Sequence, residues 1–451
     1  MESNKNIYFI GIGGIGMSAL ARYYMQLGYA IYGYDNAKTD LTKQLEAEGM
    51  SIIYEDNPAN LPANIEIAVF TPAIPKDNLI LNAIRANNIT LYKRSETLGQ
   101  ISKDYKTIAV AGTHGKTTIS GMIAYLLHNS NVGCNALLGG ISKNLDTNCI
   151  IDKTKKDYLV TEADEYDRSF LQLNPYYSII TATDEDHLDI YGTRDNLIKA
   201  FKEFAAKTND EGCLFLKSGL ESELMAINCN IETYSLNNIE ANYYVWNIRV
   251  YNGSYYFDYH TPQKVYFDMC LSYPGLHNIE NAVVAMAVAL KCGVTEEELR
   301  KAMASFSGMK RRFDVRLKTE DTIYIDDYAH HPEEIRTTIN SIRHLYPDKR
   351  LTGIFQPHLF SRTRDLQNEF VEALELLDEV ILLDIYPARE EPIAGVTSGL
   401  LFHKINKMDK YYVSKQQLLE LIPALQPQIL LTLGAGDIDK LVKPIEDILK
   451  N

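Results

Sequence analysis

The first place where chemistry can be read in this chain is a lysine among small and hydroxyl-bearing residues, Gly112-Thr113-His114-Gly115-Lys116-Thr117-Thr118. An apolar run, Lys106 to Ala111, leads into it and a helical pattern, Ile119 to Leu127, leaves it. A strand, a glycine turn and a helix N-terminus together form a cradle of backbone N–H groups for phosphates. Lys116 then neutralises the β and γ oxygens, and the Thr117 hydroxyl coordinates Mg²⁺. The turn has two residues between its glycines where the common phosphate loop has four. Its context is nonetheless complete, so ATP is the expected ligand.

A triphosphate site calls for hard oxygen ligands to its metal. Glu162 follows the strand Tyr158 to Thr161 in Glu162-Ala163-Asp164-Glu165, and Asp184-Glu185-Asp186-His187-Leu188-Asp189 follows the strand Tyr177 to Ala182. Imidazole is an unusual Mg²⁺ ligand, and a lone His187 would read as a hydrogen-bonded loop residue. Two acidic strand ends beside a phosphate loop turn the preference toward ligation.

Earlier, Ile7 to Ile10 runs into Gly11-Ile12-Gly13-Gly14-Ile15-Gly16 and a helical pattern from Met17 to Leu27. Gly11, Gly13 and Gly16 fit the dinucleotide fingerprint, in which bare backbone lets a diphosphate reach a helix N-terminus. A tight structural turn is the plain alternative. Asp35, at the end of the strand Ala30 to Tyr34, stands where a ribose-binding acid belongs, and a solvated strand-end acid is nearly as good a reading. Thr71 closes the next apolar run, Ile67 to Phe70. On the helix Asn278 to Lys291, Asn278 reads as a cap and Asn281, inside the first turn, as a ligand contact. Near the C-terminal end, His331 lies in Asp326-Asp327-Tyr328-Ala329-His330-His331-Pro332, and Arg362 and Arg364 follow Phe355-Gln356-Pro357-His358. Guanidinium forks at strand ends suit carboxylates and phosphates, with a surface ion pair as the competing reading.

These residues must be held by a larger frame. At 451 residues the chain suits about three domains. Strands alternate with helices, and the βα start restarts at Lys106 and again after Phe313. The fold class is therefore α/β with parallel sheets, and the domains are expected at 1–104, 105–312 and 313–451. Thr295-Glu296-Glu297-Glu298 reads as a capping box, and the stretch Thr363 to Leu377 as one helix. No run approaches the ~18 apolar residues of a membrane span, and no secretory signal reads convincingly, so the expected place is the cytoplasm. A formal charge of −14 repels nucleic acid and anionic membranes, so phosphate ligands must be held by local donors. The six cysteines are scattered without a C-x-x-C pair, as buried thiols in a reducing compartment would be.

Seven blocks together resemble the Mur ligase family of ATP-dependent amide-forming enzymes. They are Gly11 to Ser18, Gly112 to Thr118, Glu162 to Glu165, Asp186 to Asp189, His277 to Ala282, Asp326 to Pro332, and Asp384-Ile385-Tyr386-Pro387-Ala388-Arg389-Glu390 with its continuation to Ser398. The resemblance implies an N-terminal Rossmann-like domain binding a UDP-sugar, a central P-loop ATPase domain and a C-terminal Rossmann-like domain that brings an amino acid. It implies that Gly13, Gly14, Ile15, Gly16, Met17, Asp35 and Thr71 contact the UDP-sugar and that NAD is not a cofactor. Gly112 to Thr118, Asn281, Arg312 and Asp327 would contact ATP, Asn281 at adenine and Asp327 at ribose. Thr117, Glu162 and His187 would serve Mg²⁺, with His331, Arg362 and Arg364 on the amino-acid and phosphate side.

The implied reaction joins L-alanine to the lactyl carboxylate of UDP-N-acetylmuramate through an acyl phosphate, in peptidoglycan precursor synthesis, by a monomer or homodimer. The family rival attaches a murein peptide to the same sugar nucleotide in cell-wall recycling. Rivals of other classes are a Rossmann dehydrogenase and a non-catalytic nucleotide-binding regulator. Tyr166 and Ala182 depart from the family pattern without removing a proposed ligand. Lys202, where some relatives carry a carbamylated lysine, reads here as a plain solvated lysine.

Overall fold

The structure is a computed structural model and describes residues 5–152, 154, 157–185, 188–224, 229–251, 253–388 and 390–450. The chain divides into two compact units, 1–248 with 256–271 and 280–306, and 249–255 with 272–279 and 307–451.

The first unit contains one parallel sheet and one that is parallel but for an edge strand. Strands β1 (Asn6–Ile10), β2 (Ala30–Tyr34), β3 (Ser51–Ile53), β4 (Ile65–Phe70) and β5 (Thr90–Lys93) lie in the order β3-β2-β1-β4-β5. They alternate with α1 (Ile15–Gln26), α2 (Asp40–Ala47), α3 (Leu79–Ala86) and α4 (Arg94–Ser102). Because β2 pairs on one side of β1 and β4 on the other, the strand order reverses at the end of β1, the place where sheets of this kind bind ligands. The glycine turn sits at that end. Strands β3 and β5 are short, with no alternation strong enough to mark them beforehand.

The second sheet runs β12-β11-β10-β6-β9-β7-β8. Its strands are β6 (Lys106–Ala111), β7 (Asn135–Ser142), β8 (Thr147–Ile150), β9 (Tyr158–Glu162), β10 (Pro175–Ile180), β11 (Cys213–Lys217) and β12 (Ile231–Tyr234). All neighbours are parallel except β8, antiparallel on β7. From Thr107 to Ala111 every residue of β6 is buried, as befits a parallel strand covered on both faces. Helix α5 (Lys116–His128) is buried from Thr117 through Leu127, apolar nearly all round, and therefore belongs to the core. Helices α6 (Leu188–Tyr191), α7 (Arg194–Ala205) and α8 (Glu221–Leu224) follow.

The tyrosine-rich stretch forms a three-stranded sheet of β13 (Tyr244–Tyr251), β14 (Ser254–His260) and β15 (Val265–Leu271). Next come α9 (Leu276–Lys291) and α10 (Glu296–Ser305), the latter opened by the expected Thr295/Glu298 capping box. Helix α9 begins before Asn278, which corrects its reading as a cap. Buried in the first turn, Asn278 donates its Nδ2 to the Pro274 carbonyl at 2.5 Å.

The second unit carries β16 (Asp314–Lys318), β17 (Ile323–Asp327), β18 (Leu351–Phe355), β19 (Glu379–Leu382), β20 (Lys410–Tyr412) and β21 (Ile429–Leu433), ordered β16-β17-β21-β18-β19-β20. Only β16 is antiparallel to its neighbour. Helices α11 (Pro332–Leu345), α12 (Phe360–Asp365), α13 (Gln367–Leu374), α14 (Gly399–Lys404), α15 (Lys415–Leu425) and α16 (Asp439–Leu449) complete it. The single helix expected over Thr363 to Leu377 is two helices, broken at Leu366 (φ −108°, ψ 24°). It starts earlier because Glu390, distant in sequence, accepts from the Ser361 N–H at 3.0 Å and from its hydroxyl.

Candidate active site

The turn from β6 into α5 is the most tightly specified backbone of the first unit. Gly112 (φ 122°) and Gly115 (φ 81°) hold left-handed conformations that a side chain would strain. A Cβ on Gly112 would also collide with Thr181 Oγ1. Thr113 N donates to Ala182 O at 3.2 Å, and Thr181 Oγ1 donates to His114 O, so β10 closes over the loop. His114 Nε2 stands 3.3 Å from Asp184 Oδ2, which also accepts from Thr113 Oγ1 at 3.3 Å. The Asn281 amide oxygen lies 3.0 Å from where a Cβ on Gly115 would be, so α9 brings Asn281 onto the loop.

Lys116 opens α5 and turns back over the loop: Nζ donates to Gly112 O at 2.6 Å and meets both Glu165 oxygens at 2.8 Å. Burial opposes its charge, but Glu165, with Asp164 and Glu162 behind it, keeps the ammonium above the ordinary lysine range. Glu162 is the last residue of β9 rather than the first after it. Its Oε1 accepts from Gly139 N at 2.9 Å and from Ser120 Oγ at 3.4 Å, and a Cβ on Gly139 would overlap that carboxylate. Thr117 is buried in the first turn of α5, and its carbonyl accepts from Ser120 Oγ at 3.2 Å. Thr118 is also buried. Oxygen donors on Thr117 and Glu162 fit a hard divalent ion that takes its remaining ligands from phosphate and water. Among the described residues no group of three His, Cys, Asp or Glu closes on a metal position. His187 lies outside the described residues.

At the other turn, Gly13 N donates to Asp35 Oδ2 at 2.8 Å, and Ala37 N to Asp35 Oδ1 at 3.2 Å. The strand-end acid thus braces the glycine turn. A Cβ on Gly13 would come within 2.8 Å of Asp35 Oδ2, and one on Gly11 within 2.8 Å of Thr71 Cγ2, so both approaches require bare backbone. Gly14 caps α1 in extended conformation, while Ile15, Gly16 and Met17 form its first turn. Asn148, fully buried on β8, donates Nδ2 to Ile15 O at 2.7 Å and to Ser18 Oγ at 3.0 Å, and its Oδ1 accepts from Arg22.

Two residues of this neighbourhood were not legible beforehand. Arg94 Nη1 lies 3.0 Å from where a Cβ on Gly16 would be, placing a cation against the first turn of α1, and its Nη2 stands 3.4 Å from Asp164 Oδ2. Glu165 was visible only as one acid in an acidic run. A Lys-Arg pair at the end of a strand, Lys93-Arg94, was the one available signal for the first.

In the second unit, Asp327 is buried at the end of β17 and accepts from Ala329 N at 2.9 Å, Phe313 N at 3.1 Å and Thr338 Oγ1 at 3.1 Å. Burial pushes its carboxyl up to about 6, against the pull of Arg312. Arg312 packs over the Tyr328 ring at 4.8 Å, and Arg311 pairs with Asp326 at 3.2 Å. His331 caps α11, its Nδ1 accepting from Glu333 N at 3.4 Å. His330 meets His358 edge to face and His358 stacks on Tyr386, with ring centroids 5.8 Å apart at each step. Burial, with the charge of Arg362 helping and Glu334 opposing, lowers His330 to about 4. Arg362 therefore belongs to this cluster, whereas Arg364 is half exposed and paired with its neighbour Asp365 at 2.7 Å.

In chain order, a glycine turn, a phosphate loop with a strand-end acid and a histidine-arginine cluster define a nucleotide-dependent ligase of modular build. The chain belongs to the Mur ligase family: residues 6–106 match the Mur ligase family catalytic domain, 110–289 the middle domain and 311–436 the glutamate ligase domain. It is 46% identical over 457 residues to the UDP-N-acetylmuramate–L-alanine ligase of Parabacteroides distasonis, covering 100% of this chain and 98% of the relative. It is 45% identical to the enzyme of the same name from Phocaeicola vulgatus, over 99% of this chain and 98% of the relative. The crystal structure of UDP-N-acetylmuramate-alanine ligase from Thermotoga maritima superposes with a TM-score of 0.82 at 26% identity, covering 99% of both chains. A murein peptide ligase from Psychrobacter arcticus shares the fold, with a TM-score of 0.73 at 22% identity and 99% coverage of both chains.

Proposed function

We propose that this protein joins L-alanine to the lactyl carboxylate of UDP-N-acetylmuramate, converting ATP to ADP and phosphate. The observation that carries the reading is the loop from Gly112 to Thr118 with the Lys116 ammonium folded over it, in a chain similar along its whole length to ligases of that name. The domain limits 1–104, 105–312 and 313–451 are part of the proposal, as is a cytoplasmic place, supported by six cysteines all free of disulfides.

The chemical difficulty is that a carboxylate repels nucleophiles and oxide leaves poorly. Transfer of the γ-phosphoryl group to a carboxylate oxygen removes both obstacles and releases ADP. The deprotonated amine of L-alanine then attacks the carbonyl carbon, and the C–O bond to phosphate breaks. Lys116 and the loop amides hold the β and γ oxygens. Thr117 and Glu162, with His187, would hold Mg²⁺, which would supply charge neutralisation on the transferring group. Asn281, Arg312 and Asp327 serve the nucleoside, and His331, Arg362 and Arg364 the amino acid and phosphate. The UDP diphosphate lies on the Gly13 to Met17 turn, with Asp35 and Thr71 beside it and Arg94 as an added cation.

Phosphate release from ATP and UDP-N-acetylmuramate, compared with L-alanine, glycine, L-serine and a tripeptide, tests the reading. L-alanine should give the highest kcat/KM. Preference for the tripeptide would instead make the chain a peptide-attaching ligase, and no ADP with any acceptor would end the proposal.

A further inference from the structure

Nothing in the reaction so far uses Glu165, yet it is among the most buried acids of the protein, with 1% of its surface exposed. A buried ion pair is poor evidence of stability, because desolvating both partners costs about as much as their attraction returns. This one is also reached by an unusual backbone path. Asp167 (φ 54°) and Arg168 (φ 53°) are successive left-handed residues without a glycine, a conformation costing roughly 1–3 kcal/mol for each. The kink turns the segment so that Arg168 N and the Tyr191 hydroxyl both donate to the Glu165 carbonyl, at 3.0 and 2.6 Å. Its side chain is thereby aimed at Lys116 Nζ, 2.8 Å from both carboxylate oxygens.

We propose that Glu165 is a positioning residue for phosphoryl transfer, which together with the Gly112 carbonyl fixes the direction in which Lys116 presents its ammonium to the β and γ phosphates. This rests on the reading of the loop as a triphosphate site. An ammonium has three donors in tetrahedral array. Gly112 O at 2.6 Å and the two Glu165 oxygens, each at 2.8 Å, are in reach of all three, so the ammonium is held in one place and a phosphate oxygen takes over a donor that the carboxylate now holds. Glu165 touches no substrate atom in this role; it acts through Lys116. A lysine stem has four rotatable bonds and loses much of its freedom on being held, so a fixed partner lowers the ordering cost that the nucleotide must otherwise meet.

The test is calorimetric binding of three Mg²⁺-containing probes, the non-hydrolysable ATP analogue AMP-PNP, ADP and AMP, to the full-length protein and to Glu165→Gln. The loss of one charged hydrogen bond predicts AMP-PNP binding weaker by about tenfold. AMP, which has no β or γ phosphate, should bind unchanged. In turnover, KM for ATP should rise and kcat fall while KM for L-alanine stays constant, and Glu165→Asp should recover most of the loss. Tyr191→Phe, which loosens the carbonyl anchor without altering the carboxylate, should show the same AMP-PNP-selective loss in smaller measure and serves if Glu165→Gln does not fold. Equal weakening of AMP, unchanged AMP-PNP binding, or tighter AMP-PNP binding would each overturn the proposal, the last by making Glu165 a competitor for the lysine. Failure of the unaltered protein to prefer AMP-PNP over AMP would instead remove the triphosphate reading itself.

Discussion

Lys116 is paired with the buried Glu165 carboxylate, so its truncation should cost folding stability as well as chemistry. Lys116→Ala is expected to lower the rate of ADP formation by ~100-fold or more while UDP-N-acetylmuramate still binds. Ordinary phosphate release by that variant would remove the lysine from the mechanism. The titrating residues give a second expectation. Burial lowers His277 and, with help from Arg362, His330 to about 4, so both stay neutral in the fold. The unfolded chain takes up these protons first, near pH 6.5, and folding stability is therefore lost as pH falls from about 6.5 to 4. Asp327 works the other way: its buried carboxyl binds a proton at about 6, before the unfolded chain does, and partly offsets the loss. Thermal melts should show the midpoint falling on acidification through that window, with a shallower slope in His277→Gln. An identical slope in the variant would contradict the assignment.

At the scale of elements, the glycine turn does not stand alone. Asn148 on β8 satisfies the Ile15 carbonyl and the Arg22 guanidinium, while Arg22 also forks onto Glu48 at 2.8 and 2.6 Å. The neighbouring strand β7 supplies the Gly139 amide that orients Glu162. One hairpin thus supports both the Gly11 to Gly16 turn and Glu162. Asn148→Ala leaves buried donors and acceptors unpaired and should destabilise the protein by about 2–3 kcal/mol. It should also raise KM for UDP-N-acetylmuramate more than KM for ATP, which initial-rate kinetics at saturating co-substrate would reveal. Equal changes in both would mean the hairpin only stabilises.

For the whole molecule, a charge of −14 means that long-range attraction does not gather its anionic substrates. Local donors must do so, and they differ between the two phosphate sites. On the proposed reading, the turn at Gly11 to Gly16 would work with backbone amides and Arg94, whereas the loop at Gly112 to Thr118 would need a divalent ion on Thr117 and Glu162. Chelation of Mg²⁺ with EDTA should therefore abolish ADP formation yet leave UDP binding near its original affinity. Parallel loss of UDP binding in calorimetry would contradict this division. Among the described residues no helix is long and apolar enough to cross a membrane, in keeping with the short apolar runs of the chain.

Much of this protein was legible in its residues because the relevant physics is local. A phosphate cradle needs a strand end, bare backbone and a helix start within a few residues, so the stretch from Lys106 to Thr118 declared its structure. Strand β2 and the Thr295 cap were readable for the same reason. What could not be read were pairings across long sequence separations: Lys116 with Glu165, Arg94 with Asp164, Asn148 with Ile15, and Ser361 with Glu390. In a chain with 59 acidic residues one carboxylate resembles another, and composition carries no record of which cation it meets. Only the crossing of strands in the folded sheets, which brings distant segments to the same edge and excludes water from some of them, decides which acids act on a lysine and which merely face solvent.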